Sequence, residues 1–124
     1  NVFRKDTLPS HHYAYNLAAD LEQGALLQKQ GNLDAAIILY NQIIATAPAY
    51  SQAYLELGNV LSQQGKFTAA IATYEQIIQR DPTNALAYSY LGSALEQTHK
   101  MAEAIAAYIK AIRLNSQETR AYTP

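Results

Sequence analysis

The chain contains no cysteine. That absence excludes a disulfide framework and thiolate chemistry, but it does not fix the compartment, because oxidising and reducing locations both tolerate cysteine-free chains. Long apolar runs are also lacking, and nothing approaches a membrane span, so direct membrane insertion is not expected. The chain opens on Asn1 rather than Met, without a basic stretch leading into an apolar core. It therefore reads as a piece of a longer protein, with the cytoplasm slightly favoured. Charge of one sign is scarce: 9 basic residues face 10 acidic ones, for a net charge of −1. Such a balance gives no positive field of the kind a nucleic-acid binder needs, so nucleic acid is not expected as a partner.

What the chain does have is self-similarity. Gly24, Gly58 and Gly92 are spaced 34 residues apart, and Tyr40, Tyr74 and Tyr108 keep the same interval. Leu27, Leu61 and Leu95 fall in that register, as do Ala36, Ala70 and Ala104, and Ile44, Ile78 and Ile112. A fixed period of this length marks a repeat array rather than a single enzyme fold. Within one unit, Tyr54, Leu57, Gly58 and Leu61 follow i, i+3, i+4 and i+7, one stripe of an amphipathic helix. A second stripe, Phe67, Ala70, Ile71, Tyr74, Ile77 and Ile78, follows Gly65, and Pro82 closes it by turning Asp81 away from the α region. Each unit is thus helix, turn, helix. Gly58 and Ala70 sit in mid-helix, where glycine is a poor helix former, so their recurrence predicts close helix contact. With 124 residues, 49% of them hydrophobic, one continuous core can be buried.

The unit from Ser51 to Asn84 resembles the tetratricopeptide repeat family over its whole length, with Tyr54 where the family usually has tryptophan, then Leu57, Gly58, Leu61, Ala70, Tyr74, Ile77 and Pro82 at the signature spacings. The resemblance implies an all-α fold, an α-α superhelix of about three helix-turn-helix repeats with an N-terminal helical extension. The expected units are 17–50, 51–84 and 85–118, preceded by an arm and helix start over 1–16 and followed by the opening of a fourth unit or tail over 119–124. Unit one departs from the pattern at Asp20 and Gln23, and unit three carries Ser116 in place of proline. Ser10 is the expected N-cap of a long first helix that could act as a lid.

Catalytic candidates are sparse. His11 and His12 are adjacent, so on a helix their side chains diverge by about 100° and do not readily share an ion. His99 stands where Gly31 and Gly65 stand in the other units, which predicts a turn with positive φ rather than a ligand. Glu22 and Glu56 lie one repeat apart, with Tyr90 at the next equivalent position, and nothing nearby would split their pKa values into acid and base. No glycine-rich phosphate loop is present. No enzyme activity, cofactor or metal is expected.

Function is sought instead on the helix face that packing does not use. Gln52, Glu56, Asn59 and Gln63 form a stripe opposite Tyr54 and Leu57, with Leu55 beside it. In the resembled family these positions line a concave groove. The repeat period carries them to Leu21, Glu22 and Gln28 in unit one, and to Leu86, Ser89, Tyr90, Ser93 and Glu96 in unit three. Leu55, Leu86 and Tyr90 are the expected apolar anchors; for the glutamines, a merely solvated face is the alternative. The lysine, arginine and asparagine clamp by which some family members hold acidic chaperone tails is absent, its positions reading Leu21, Ala25, Glu56, Leu86 and Tyr90. The expected partner is another protein, offering a short helical or extended segment with apolar anchors and a basic residue near Glu56. A second possibility is a homo-oligomer through the C-terminal helix, where Ile105, Tyr108 and Ile112 are expected to be partly uncovered. A third is the regulatory repeat region of a larger enzyme or assembly factor.

Overall fold

The computed structural model describes the backbone of residues 9–121 and the side chains of residues 17–117. Among these residues there are six helices and no strand: α1 Pro9–Lys29, α2 Leu33–Thr46, α3 Ser51–Gln63, α4 Phe67–Arg80, α5 Ala85–Gln97 and α6 Met101–Ala121. Consecutive helices pack against each other. In addition α1 touches α3 and α3 touches α5, whereas α2, α4 and α6 do not meet one another. The array therefore bends toward its first helices, and α1, α3 and α5 line its inner side.

The turn inside each unit closes in the same way. Gly31 and Gly65 adopt φ of 81° and 80°, and the amide three residues past the helix returns to a carbonyl in the last turn, Asn32 to Leu27 at 2.8 Å and Lys66 to Leu61 at 2.8 Å. This is a left-handed cap that satisfies orphan carbonyls. In unit three His99 takes the role with φ of 63°, and Lys100 donates to Leu95 at 2.9 Å. The turn expected at His99 is therefore present. Between units, Asp81 leaves the helix at φ −137° ahead of Pro82, and its carboxylate accepts from the Thr83 amide and hydroxyl.

Two core clusters each straddle neighbouring units. One joins Ala36, Tyr40 and Ile43 to Ala53, Leu57 and Val60; the other joins Ala70, Tyr74 and Ile77 to Ala87, Leu91, Ala94 and Ala104. Stability therefore resides in the joints between units as much as within them. Tyr54 adds a polar lock at the first joint: its hydroxyl donates to the Pro48 carbonyl at 2.8 Å and accepts from Arg80 at 3.0 Å, while the guanidinium also lies 5.1 Å from the ring centre.

The structure refines three sequence expectations. The first helix begins at Pro9, so Ser10 lies inside it; proline suits a first helical position because its missing amide hydrogen would have no partner there. Residues 119–124 were expected to hold the opening of a fourth unit or a tail. There α6 continues to Ala121, since Ser116 lacks the ring clash by which Pro48 and Pro82 stop the helices before them. Third, Leu55 is a core residue, 4% exposed, rather than a surface anchor, because α5 packs over it. The side chains of His11, His12 and Tyr13, and with them the lid, lie outside the described residues.

Candidate functional site

The inner face is built by a glycine and a tyrosine in each unit. Gly58 lies so close to the Tyr74 ring that an added Cβ would be 2.7 Å from Cζ, and at Gly24 it would be 2.6 Å from Cζ of Tyr40. At Gly92 the same atom would meet Tyr108 at 2.9 Å. Each ring from a second helix thus lies flat across the first helix, and its hydroxyl emerges beyond the glycine at the inner side. Tyr40 donates to Gln28 Oε1 at 2.7 Å, Tyr74 to Asn59 Oδ1 at 2.5 Å and Tyr108 to Glu96 Oε1 at 2.8 Å.

These bonds knit the face together. Gln28 Nε2 donates onward to Gln63 Oε1 at 2.7 Å, linking units one and two. Gln52 Nε2 holds Glu56 Oε2 at 2.9 Å, and the Tyr90 ring leans on Tyr74 with centroids 5.8 Å apart and planes tilted by 31°. Burial pushes the Tyr40 phenol up to about 12, with the Glu56 charge adding to the shift. Tyr74 is also raised to about 12, first by burial and then by Tyr90 and Glu56, against an opposing hydrogen bond from Ser62. Tyr108 moves upward through burial and through Glu96, again with a serine, Ser93, opposing. Glu56 is therefore the shared electrostatic neighbour of two tyrosines in different units.

Of the expected groove residues, Glu22, Gln52, Gln63, Ser93 and Glu96 are exposed, and Gln28, Glu56, Asn59 and Tyr90 are half-buried. Leu21 is half-buried and packs against the first core cluster. Leu55 is buried, as noted. Leu86 is 52% exposed, but it lies with Ser89, Tyr108 and Ile112 around a depression of about 330 Å³ at the end of the array. The helical stripes and the repeat period did not reveal that the hydroxyls of Tyr40, Tyr74 and Tyr108 reach the inner face. The signal was the constant interval between each glycine and its tyrosine. Among the described residues no cluster of three or more His, Cys, Asp or Glu side chains could hold a metal ion, and no helix is long and apolar enough to cross a membrane.

The tetratricopeptide repeat model matches residues 21–85 and again residues 55–119. The chain belongs to the tetratricopeptide repeat family. A crystal structure of MamA is 28% identical, with a TM-score of 0.78, covering 84% of this chain and 61% of that one. This chain thus spans less than two thirds of MamA. The first tetratricopeptide domain of Spaghetti (RPAP3), bound to the HSP90 peptide SRMEEVD, is 23% identical with a TM-score of 0.76, covering 81% and 79% of the two chains. SycD, a type III secretion translocator chaperone from Yersinia enterocolitica, is 19% identical with a TM-score of 0.79, covering 82% and 75%. A sequence comparison with curated proteins gave no match. The tetratricopeptide signature accounts for the glycine and tyrosine pairs, while the groove polar residues differ from unit to unit.

Proposed function

We propose that this tetratricopeptide array is a binding module that seats a segment of another protein on its inner face, and that the segment carries a basic residue for Glu56 and an apolar or aromatic residue for Tyr90. The observation that carries the reading is the position of Glu56: half-buried, held by Gln52, and close enough to Tyr40 and Tyr74 to raise both phenols. Among the described residues no cation pairs with it, and a half-buried carboxylate in that position favours a ligand that brings one. Glu22 and Glu96 extend the same sign along the face, with Lys29 as its basic neighbour at the edge. The Spaghetti domain provides a contrast, since its bound peptide ends in acidic residues. Such a tail would meet like charge here and lose affinity.

The test is a display selection of random peptides on the immobilised chain, followed by calorimetry of the enriched sequences. Enrichment of lysine or arginine beside aliphatic or aromatic residues is expected, with roughly tenfold weaker binding to Glu56→Gln, the loss of one charge-assisted hydrogen bond. Enrichment of acidic tails, or binding indifferent to Glu56→Gln, would refute the reading.

A further inference from the structure

The polar hydrogens of the inner face run in one direction. Tyr40 is buried and its phenol stays protonated, so its hydrogen needs an acceptor, and among the described residues Gln28 Oε1 at 2.7 Å is the one that takes it. That bond decides how the Gln28 amide is turned. With its oxygen on Tyr40, its nitrogen faces Gln63 and donates to Oε1 there at 2.7 Å. Gln63 is turned in its own right by this, with Nε2 pointing away from Gln28. Unit two repeats the device in one step. The Tyr74 oxygen receives a hydrogen bond from Ser62, which leaves the phenolic hydrogen for Asn59 Oδ1 at 2.5 Å and turns Asn59 Nδ2 away from the ring. In unit three Tyr108 donates to the Glu96 carboxylate, which has no hydrogen to pass on. Among the described residues, neither Gln63 Nε2 nor Asn59 Nδ2 has a partner.

Two outward amides therefore stand beside Glu56 on α3. Asn59 and Gln63 are four residues apart, about 6 Å along the helix at about 1.5 Å per residue. In an extended segment every second carbonyl points to the same side, about 6.6 Å apart at about 3.3 Å per residue. The two spacings match. A helical segment cannot answer both donors along its length, because its carbonyls are taken by its own amides except in the last turn. Glu56 lies seven residues before Gln63, about 10 Å, so the carboxylate and both donors fit an extended stretch of about four residues.

Resting on the binding site proposed above, we infer that Asn59 and Gln63 donate to two backbone carbonyls, two residues apart, of an extended segment lying along α3, and that Tyr74 and Tyr40 are the positioning residues that hold these amides with their donors outward. Tyr40 acts from the neighbouring unit, through Gln28, without touching the segment. The amides select the segment's conformation, whereas Glu56 selects its charge.

Two phage libraries test this on the immobilised chain, one of linear random peptides and one randomised on the surface of a stable helix, with calorimetry of the best binder from each. Linear peptides are expected to win, and Gln63→Met, which keeps the length of the side chain and removes its donors, should weaken the best of them roughly fivefold. Replacing its amides by esters one at a time, which weakens each carbonyl as an acceptor, should lower affinity at two positions two residues apart. Tyr40→Phe should weaken binding to the otherwise native chain about threefold and leave binding to Gln63→Met unchanged. Equal weakening in both backgrounds would mark Tyr40 as merely structural and overturn the relay. The charge of the enriched peptides bears on Glu56 alone: acidic linear binders that depend on Gln63 would refute the charge reading and support this one. Helical binders, or linear ones indifferent to Gln63→Met, would overturn this inference whatever their charge, and failure of both libraries would sink both.

Discussion

Replacing Gly58 with alanine opposes two well-known effects at one atom. In an exposed helix interior the change would stabilise by about 1 kcal/mol through helix propensity. Here the new methyl would stand 2.7 Å from Cζ and 2.9 Å from Cδ1 of Tyr74, with Cε1 closer still. The ring has nowhere to go: Tyr74 is 1% exposed, lies against the tilted ring of Tyr90, and has its hydroxyl tied to Asn59. Overpacking of this kind costs about 1 to 3 kcal/mol and can exceed that where the neighbour is pinned. The expected net result is destabilisation by about 1 to 2 kcal/mol, read from urea denaturation followed by circular dichroism. In a Tyr74→Leu background, where the ring is gone, the same Gly58→Ala change should become neutral or stabilising, so a double-mutant cycle isolates the contact. Stabilisation by Gly58→Ala in the otherwise native chain, or the same cost in both backgrounds, would refute the claim that this glycine exists to let the ring lie flat.

Truncating the ring itself, Tyr74→Ala, should cost about 3 to 5 kcal/mol through the cavity it leaves, while Gln63→Ala should cost almost nothing; thermal melts of the pair test the assignment of faces. Tyr74→Phe keeps the ring and removes the bond to Asn59, for a loss of about 1 kcal/mol in the same assay. His99→Gly should raise stability by about 1 kcal/mol, because φ of 63° is strained for histidine and free for glycine; a lower melting temperature would contradict the turn assignment. The raised phenols of Tyr40 and Tyr74 set an alkaline limit. Both remain protonated in the folded chain up to about 12 and ionise near 10.0 once unfolded, so their contribution is intact below 10.0 and is lost as pH rises toward 12. Denaturation midpoints measured across that window should fall as tyrosinate absorbance rises.

The helices and their faces were legible in the sequence because the repeat period compares each position with its equivalents. Glycine facing tyrosine recurs in all three units, and no single-helix pattern imitates that. Legibility failed where a residue's surroundings come from another unit. Leu55 follows the groove stripe on its own helix, yet α5 covers it, and burial by a neighbouring helix cannot be read from the periodicity of one helix. Leu86 occupies the same helical position as Gln52 but borders the depression lined by Tyr108 and Ile112 of the next helix. The reach of the three hydroxyls was hidden for a related reason: a tyrosine at a core position places its ring in the core while its polar tip travels a further ring-width to the far side of a glycine. The long α6 was foreshadowed by Ser116 replacing proline, a cue that acts by removing a stop signal rather than adding a pattern.

The central claim is that the inner face, with Glu56 at its middle, receives a partner segment bearing positive charge. Nitrogen–proton correlation spectra of the chain, recorded during titration with a display-selected peptide, test it most directly. The account predicts shifts confined to amides of α1, α3 and α5 around Glu22, Glu56, Asn59 and Tyr90, much reduced in Glu56→Gln. Shifts centred on α2 and α4, or on the outer side of α6, with the inner amides unmoved, would contradict it.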